Sequence, residues 1–576
     1  MNAALCATLA LLWSMPPKAG VTLSANAWQR YGELGLNQSR GFARTTTGNI
    51  QIQTVSGTRR FPVVFMSYSD VGAEYDASDF QAMLFDGPWT SGSAHDYYEE
   101  VSYGKVDLRG QVVGPYPAKY TASYYADDNY GIGNNYARSA GALVLEACQA
   151  SDASVDYSLY DNDGDGYVDI FTVIHVGYGA EETGITGDIW SHEFSLSGWA
   201  SYGGPGVYET NDADPNHPGQ KIKIDVYTIN PERSSESVDG TISSIGVFCH
   251  EWGHGFGLPD LYITDGPSSG SAGLGIFCLM ASGSWGGTPA GSSPVHPSAW
   301  CKYLLGWVEP QSLERGALEE VDAAEFAESN SSASAWRIFA NPSGAEWSFE
   351  KAGIGEYFLA ENRRRKGFDK GLPGDGLLVL HVDESQENNN NLSNPLVGIM
   401  QADGSPQFLF TSGQGSASDL WKSDSFGFSN SSVPSSRFYD GVPSGASVSL
   451  ISEADSIMTA RLEIAALLLG RTYSYPNPFN AHEREKVTIV YEPTDEEKTQ
   501  GQYPDFKVYI YNLAGERVRV LDEKPAEISV YGRVAYWDGR NDGKKPVASG
   551  LYFYIIETYE NGLVKERSKS TLTLVR

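Results

Sequence analysis

The stretch HEWGHGFGLPD, residues 250–260, indicates a metal-binding helix and decides the fold of the region around it. His250 and His254 are four residues apart, so on a helix they project from one face and can share a single Zn²⁺. Glu251 stands beside the metal rather than on it, where a carboxylate can take a proton from water that zinc has made acidic. The pattern therefore predicts a centre for metal-assisted hydrolysis.

The ends of the predicted helix bring a third ligand to the metal. Ser243 and Ser244 are of the residue type that caps a helix N-terminus. Gly257 can adopt a positive φ and end the helix, after which the chain reverses and presents Asp260. Three protein ligands leave one coordination position open, as in catalytic rather than structural zinc sites. Gly257 and Asp260 make the pattern more specific than HExxH alone. The alternative is a buried helix with two hydrogen-bonded histidines.

The extended motif HExxHxxGxxD resembles that of the metzincins, with Asp260 in place of the third histidine. This variant is typical of the immune inhibitor A family of secreted bacterial metallopeptidases. Its members carry a Met-turn beneath the metal, a role that the resemblance assigns to Met280. Tyr262 is interpreted as core packing, with ligand orientation or carbonyl polarisation as the alternative. The stretches similar to the family are DYYEEVSYG (96–104), GDIWSHE (187–193), LMASGSW (279–285), PSAWCKYLLGWV (297–308) and PGDGLLVLHVD (373–383).

The resemblance covers about residues 61–455 and implies a multidomain protein. Its catalytic domain, 61–310, is expected to be an α/β metzincin-like (zincin) fold, and residues 311–465 an integral β-sandwich companion. The residues themselves agree with this order. Apolar runs predict buried strands at 61–68 and 170–176, and helical patterns lie at 78–86 and 134–150. After about residue 311, short strands separated by Gly/Asn/Ser turns are predicted, at 356–360 and 376–383.

The loop DNDGDGYVD, residues 161–169, predicts a structural calcium site. Asp161, Asp163, Asp165 and Asp169 alternate along it, and Gly166 lies at the sharp turn. Carboxylates at this spacing wrap Ca²⁺, and without a cation they would repel one another. The twelfth position lacks the glutamate of an EF-hand, so another ligand is needed. The alternative is an exposed acidic turn.

A third unit is predicted over residues 466–576. It opens with PNPFN (476–480), and strands are expected at 486–491, 505–511, 533–537 and 550–558. This spacing suits an immunoglobulin-like β-sandwich. The unit resembles C-terminal domains of secreted bacterial enzymes, some of which are sorting signals for secretion. The resemblance implies a role with secretion machinery or in cell-surface attachment, and a simple spacer is the alternative.

Composition points to an exported protein without nucleic-acid partners. The chain carries a net charge of −31, which repels phosphate backbones. Residues 1–20 contain a short apolar run, expected to be a signal peptide, and 21–60 are interpreted as a linker or the remnant of a pro-segment. No later segment reaches the roughly 18 apolar residues of a membrane helix. Five cysteines are too few for a disulfide scaffold, and disulfides and buried thiols remain equal alternatives.

The sequence thus predicts a secreted zinc-dependent endopeptidase that acts on proteins or peptides, with Glu251 as general base. A zinc hydrolase of another amide or ester would need the same ligands. A surface adhesion protein with an inactive peptidase-like domain would be expected to lack Glu251 or a ligand. The basic run Arg363–Lys366 is interpreted as a solvated loop or salt-bridge site, with polyanion binding as the alternative.

Overall fold

The computed structural model describes most of the chain from residue 54 onward. The described residues are 54–234, 241–264, 272–313, 318–324, 335–339, 345, 347–349, 352–353, 355–405, 407–411, 413–439, 441, 443–464, 471–482, 484–492, 505–521, 527–529, 532–560 and 563–576. The expected signal peptide and most of the expected linker lie outside them. The described residues fall into two compact units. The first comprises those of Met1–Leu313, Glu320–Gly427 and Ser449–Arg461, and the second those of Glu314–Glu319, Phe428–Val448 and Leu462–Arg576. The division into three domains stays a prediction.

A mixed sheet forms the base of the first unit. In chain order its strands are β1 (Gly57–Ser67), β2 (Val106–Pro117), β3 (Phe171–Tyr178), β4 (His192–Ser195), β7 (Val226–Ser234) and β8 (Thr241–Ile242); β5 (Tyr208–Ala213) and β6 (Lys221–Ile224) form a separate hairpin. The order is β2-β1-β3-β7-β4, in which the first four strands run parallel and β4 is antiparallel to β7. Strands buried on both faces need continuous apolar runs, which is why β1 and β3 could be predicted.

The helices of the first unit are α1 (Ala77–Gln81), α2 (Ala94–Val101), α3 (Ala122–Ala126), α4 (Ala140–Ser151), α5 (Ala180–Thr183), α6 (Ile245–Gly255) and α7 (Ala299–Leu304). The helix predicted at 78–86 is α1 followed by a π-helical turn, Ala82–Asp86. The helix predicted at 134–150 begins later, at Ala140, because Ser139 is its N-cap and its hydroxyl accepts the amide proton of Ala142. None of the helices within the described residues is long and apolar enough to cross a membrane.

Helix α6 carries the histidine motif and packs closely on the mixed sheet. The Trp252 indole donates a hydrogen bond of 2.8 Å to the Thr172 hydroxyl on β3. The Trp252 ring also contacts the ring of Phe61, at a centroid distance of 5.4 Å. A Cβ at Gly255 would come within 2.1 Å of the Ile170 side chain, so only glycine permits this approach. The sheet thereby fixes the position of the motif.

The first unit also contains a second sheet, of order β14-β13-β12-β11-β9. Its strands are β9 (Gln311–Leu313), β11 (Ala335–Ile338), β12 (Glu356–Arg363), β13 (Gly376–Asp383) and β14 (Val397–Ile399). Strands β12 and β13 begin where the sequence predicted them. Three further strands, β10 (Leu318–Ala324), β15 (Ala446–Ser449) and β16 (Ile457–Ile464), lie outside both of these sheets.

The C-terminal region contains two sheets. One has the order β17-β19-β23-β22 and the other β18-β25-β24-β20-β21. Side chains of both, among them Val487, Val508, Trp537 and Tyr554, form one buried core. The strands are β17 (Arg471–Tyr475), β18 (Phe479–Asn480), β19 (Val487–Glu492), β20 (Asp505–Tyr511), β21 (Arg517–Leu521), β22 (Glu527–Ser529), β23 (Gly532–Trp537), β24 (Gly550–Glu560) and β25 (Leu563–Val575).

Candidate metal centre

Three side chains of the motif converge on one point. The Nε2 atoms of His250 and His254 each lie 3.2 Å from Oδ1 of Asp260. Helix α6 supplies both histidines from one face, and Gly257, with φ +99°, turns the chain so that Asp260 returns to them. The three side chains are nearly buried, and the candidate ligand atoms all lie within 4.8 Å of one another.

Backbone carbonyls fix the orientation of both imidazoles. Nδ1 of His250 lies 2.9 Å from the carbonyl oxygen of Leu279, and Nδ1 of His254 lies 2.8 Å from that of Leu258. A carbonyl only accepts, so in each ring Nδ1 carries the proton and Nε2 keeps its lone pair. Histidines that bind metals are held in this way. Both lone pairs are therefore available at the point where Asp260 lies.

The residues fit a zinc ion. Zinc–nitrogen and zinc–oxygen bonds of about 2.0–2.2 Å at a tetrahedral angle separate two ligand atoms by about 3.3 Å. The observed separations of 3.2 Å match this value. Neither carboxylate oxygen of Asp260 has a hydrogen-bond partner within the described residues, although both are buried. Buried polar atoms are normally satisfied, and a cation between these three side chains would satisfy them.

The electrostatics of the cluster also favour a cation. Burial lowers the pKa of His254, but the charge of Asp260 outweighs it and raises that pKa to about 9. The pKa of His250 is raised as well, against burial, chiefly by its interaction with Asp260. In turn, the two imidazoles hold the pKa of Asp260 well below its usual range despite burial. The negative charge of Asp260 that raises these two pKa values would equally favour a divalent ion at the two Nε2 atoms.

Glu251 lies beside the cluster and is not one of its three converging ligands. Its carboxylate is buried, and Oε2 has no hydrogen-bond partner within the described part of the chain. Burial raises its pKa, while the charges of His250 and His254 and a hydrogen bond with the backbone of Glu193 oppose that shift. Tyr262 is half-buried, with its ring centroid 6.4 Å from that of His250, so it lies at the cluster rather than in the core.

The segment around Met280 contacts the residues of the cluster and helix α6. The amide of Leu261, next to Asp260, donates 2.7 Å to the carbonyl of Met280. The preceding carbonyl is that of Leu279, which holds His250. A Cβ at Gly253 would lie 2.6 Å from the Met280 sulfur, so the methionine packs directly against α6. The Met-turn role of Met280 stays a prediction.

An ion pair anchors this segment to the second sheet, and its complete burial was not predicted from the sequence. Arg363 ends β12 and is fully buried; its Nε and NH2 donate to Asp369 at 2.8 and 2.7 Å. Its NH1 donates 2.8 Å to the carbonyl of Phe277, two residues before Leu279. Arg365 is exposed and pairs with Asp375. The basic run is thus a salt-bridge site at Arg363 and Arg365, one of the two readings of the sequence, but Arg363 is buried rather than solvated.

Ser244 occupies the N-cap position of α6, as predicted, but its side chain makes no capping bond. Its hydroxyl instead donates 2.6 Å to the carbonyl of Ala290. A Cβ at Gly246 would lie 2.0 Å from the carbonyl oxygen of Ser284. The start of the helix is therefore held by the segment after Met280 rather than by its own cap.

The acidic loop brings together three of its four predicted ligands. Candidate ligand atoms of Asp161, Asp163 and Asp165 lie within 4.8 Å of one another. Asp169 is outside this group, and its carboxylate accepts the backbone amide of Asn162 at 2.8 Å. Burial raises the pKa of Asp163, and the charge of Asp161 adds to this. Calcium binding by this loop remains a prediction.

A helix that offers two imidazoles, with a carboxylate completing three ligands and a second carboxylate beside them, defines the class of mononuclear metal-dependent hydrolases. Residues 66–307 match the immune inhibitor A peptidase M6 catalytic domain. The cluster lies wholly within this segment, which is therefore similar to the catalytic domain of a metallopeptidase family.

Similar proteins carry the same family name or a protease name. The chain is 31% identical over 276 residues to the pre-pro-metalloprotease PrtV of Vibrio cholerae, a match covering 42% of this chain and 28% of PrtV. It is 34% identical over 218 residues to immune inhibitor A of Bacillus thuringiensis, covering 34% of this chain and 29% of the relative. The chain thus spans less than a third of the length of these relatives.

Solved structures add no information on the fold. A chain from a structural study of PorZ, a type-IX secretion component of Porphyromonas gingivalis, matches 39% of this chain at 16% identity. The match covers 22% of that chain, and its TM-score of 0.14 is too low to relate the two folds.

Proposed function

We propose that this protein is an exported zinc-dependent endopeptidase that hydrolyses peptide bonds in proteins. The observation that carries the proposal is the convergence of His250, His254 and Asp260 at 3.2 Å separations, with Glu251 beside them. Zn²⁺ held by these three ligands would polarise a scissile carbonyl and make water acidic enough to attack near neutral pH. The family of the domain supports peptides as the substrate class.

Residues of this chain supply the proton transfer and hold the ligands in position. Glu251 takes the proton of the attacking water at Oε2, which has no hydrogen-bond partner among the described residues, and passes it to the leaving amine. The carbonyls of Leu279 and Leu258 keep the two imidazoles in one tautomer. Their surroundings restrict the access of bulk water, because His250, Glu251, His254 and Asp260 are between 5% and 9% exposed. Low exposure strengthens each electrostatic interaction at the centre.

The test compares the purified chain with Glu251→Gln, which removes the base but keeps the shape. Cleavage of unfolded casein and zinc content are measured on both. Glu384→Gln is the matched control. Glu384 is a buried carboxylate of the same unit, and it accepts hydrogen bonds from Tyr357 and Trp300 rather than lying at the metal centre. We expect Glu251→Gln to keep about one zinc per chain and to lose cleavage, and the control to keep both.

Two other results would each change the assignment. If the wild type binds zinc but cleaves only small esters or non-peptide amides, the centre belongs to a hydrolase of another substrate class. If Glu251→Gln cleaves as fast as the wild type, Glu251 is not the general base. A chain that binds no zinc would refute the metal centre itself, as expected of an adhesion protein with an inactive peptidase-like domain.

Two features of the chain support export and attachment as parts of the same proposal. The apolar run at residues 3–13 serves as a signal peptide, and the C-terminal region acts in secretion or cell-surface attachment. Ca²⁺ bound at Asp161, Asp163 and Asp165 would stabilise the exported protein. A chain truncated after residue 465 should be retained in the producing cell, as measured by zymography of cells and medium. Equal amounts in the medium would refute a sorting role.

A further inference from the structure

Two buried cysteines meet beside the segment that holds His250. The sulfur atoms of Cys278 and Cys301 are 3.9 Å apart, and both residues are fully buried. Cys278 directly precedes Leu279, whose carbonyl orients the imidazole of His250. Cys301 lies in α7, twenty-three residues further along the chain. The other described cysteines, Cys148 and Cys249, are buried as well.

Both sulfur atoms accept hydrogen bonds from neighbouring polar groups. Ser298 donates from its amide to the Cys278 sulfur and from its hydroxyl to the Cys301 sulfur, both at 3.4 Å. Burial raises the pKa of Cys301, whereas hydrogen bonds from Cys301 and from the backbones of Ser298 and Met280 outweigh burial at Cys278 and lower the pKa of that thiol. The thiolate is the form that attacks a disulfide. The two sulfur atoms face each other and share hydrogen bonds from one serine.

We propose that Cys278 and Cys301 form a disulfide bond when the chain folds in an oxidising compartment. Each sulfur has to move by about 1 Å to shorten the separation to the bond length of about 2.05 Å. Both sulfurs are inaccessible in the folded chain, so the bond forms during folding, before the region closes. Disulfides are common in proteins of oxidising compartments and rare in reducing ones.

The reaction is an exchange with an external disulfide, from an oxidoreductase or from oxidised glutathione. The Cys278 thiolate attacks one sulfur of that disulfide and expels a thiolate, which leaves a mixed disulfide on Cys278. The Cys301 thiolate then attacks the Cys278 sulfur and expels the second thiolate. Two cysteine thiols are oxidised, one external disulfide is reduced to two thiols, and the two cysteine protons end on these thiols or in water.

The bond would restrain the support of the metal centre. The carbonyl of Cys278 accepts the amides of Ala281 and Gly283, each at 3.0 Å, which shapes the turn containing Met280. A link from Cys278 to α7 ties this turn to a second element besides Arg363. The disulfide is thus a structural staple beneath the centre, and its existence does not depend on zinc or on peptidase activity.

The experiment maps the bond in the full chain produced in the bacterial periplasm. Free thiols are alkylated in denaturant without reduction. No Lys or Arg lies between Arg233 and Lys302, so trypsin releases residues 234–302 as one peptide. Cyanogen bromide cuts it after Met280, into 234–280 with Cys249 and Cys278 and 281–302 with Cys301. The Cys249→Ser variant, analysed in parallel, leaves Cys278 as the one cysteine of the first fragment.

We expect the two fragments to remain linked in the wild type and in Cys249→Ser, with a mass two hydrogens below their sum, and to separate on reduction. The same chain produced in the reducing cytosol should give separate, alkylated fragments. Separate fragments from the periplasmic protein would overturn the proposal. A link that disappears in Cys249→Ser, or one that joins either fragment to Cys148, would overturn it as well.

Discussion

Replacing Arg363 by Met should destabilise the first unit far more than the same change at Arg365. The two arginines belong to one basic run, but Arg363 is fully buried whereas the side chain of Arg365 is 53% exposed. Arg363→Met removes two hydrogen bonds to Asp369 and one to the carbonyl of Phe277, and leaves the Asp369 carboxylate buried beside an apolar side chain. Arg365→Met removes one exposed ion pair.

The magnitude follows from the pKa of Asp369. Burial raises it, but the charge of Arg363 outweighs burial and lowers the pKa to about 2 from its usual 3.8. At about 1.4 kcal/mol per pKa unit, this fall corresponds to a stabilisation of the folded state by roughly 2–3 kcal/mol. The stabilisation is present above pH 4 and is lost as the pH falls through about 2. With the unpaired carboxylate included, we expect a loss of about 3–5 kcal/mol at pH 7, against less than about 1 kcal/mol for Arg365→Met.

Urea unfolding at pH 7, followed by tryptophan fluorescence and by loss of bound zinc, measures both variants. The two probes are needed because a chain with two units need not unfold in one step. Zinc should be released at lower urea concentration in Arg363→Met, because the Phe277 carbonyl loses its anchor. Equal losses for the two variants would refute the reasoning that burial makes the Arg363 pair strong.

Three further predictions concern other parts of the first unit. Gly253→Ala should cost about 1–3 kcal/mol in thermal unfolding, because its Cβ would meet the Met280 sulfur at 2.6 Å; an unchanged Tm would show that the methionine is free to move. Burial raises the pKa of Glu181 to about 7. The protonated carboxyl therefore contributes fully to the free energy of unfolding below about pH 4.5, and this contribution is lost as the pH rises through 7. Glu181→Gln keeps an acceptor for the Ser191 hydroxyl and should reduce the fall in unfolding free energy over that pH range. Parallel curves of unfolding free energy against pH for the wild type and the variant would contradict the raised pKa of Glu181. Ca²⁺ at a hundredfold excess over its Kd should stabilise the wild type by about 2.7 kcal/mol and Asp163→Asn by clearly less, as measured by calorimetry; equal stabilisation would exclude the acidic loop as the site.

The sequence predicted those parts of the fold that periodicity and spacing determine. Strands β1 and β3 are continuous apolar runs because both of their faces are buried, and β12 and β13 begin where their patterns begin. The helical spacing of His250 and His254 depends on local geometry alone, so it could be derived without the rest of the chain. The turn at Gly257 is local as well.

The remaining features depend on contacts that no local pattern contains. Leu279 and Leu258 orient the imidazoles through backbone carbonyls, which every residue has, so their side chains give no signal. Arg363 and Arg365 look alike in the sequence, and only the end of β12 decides that one points inward. The proximity of Cys278 to Cys301 likewise arises from the packing of α7 against the turn around Met280.

The distance along the chain between the motif and its supports sets an order of events during synthesis. When His254 emerges from the ribosome, Leu279, twenty-nine residues after His250, is still inside the exit tunnel, so its carbonyl cannot yet orient His250. Arg363, which anchors that segment, is translated later still. A nascent chain therefore displays the histidine motif well before it can hold the metal in a fixed geometry.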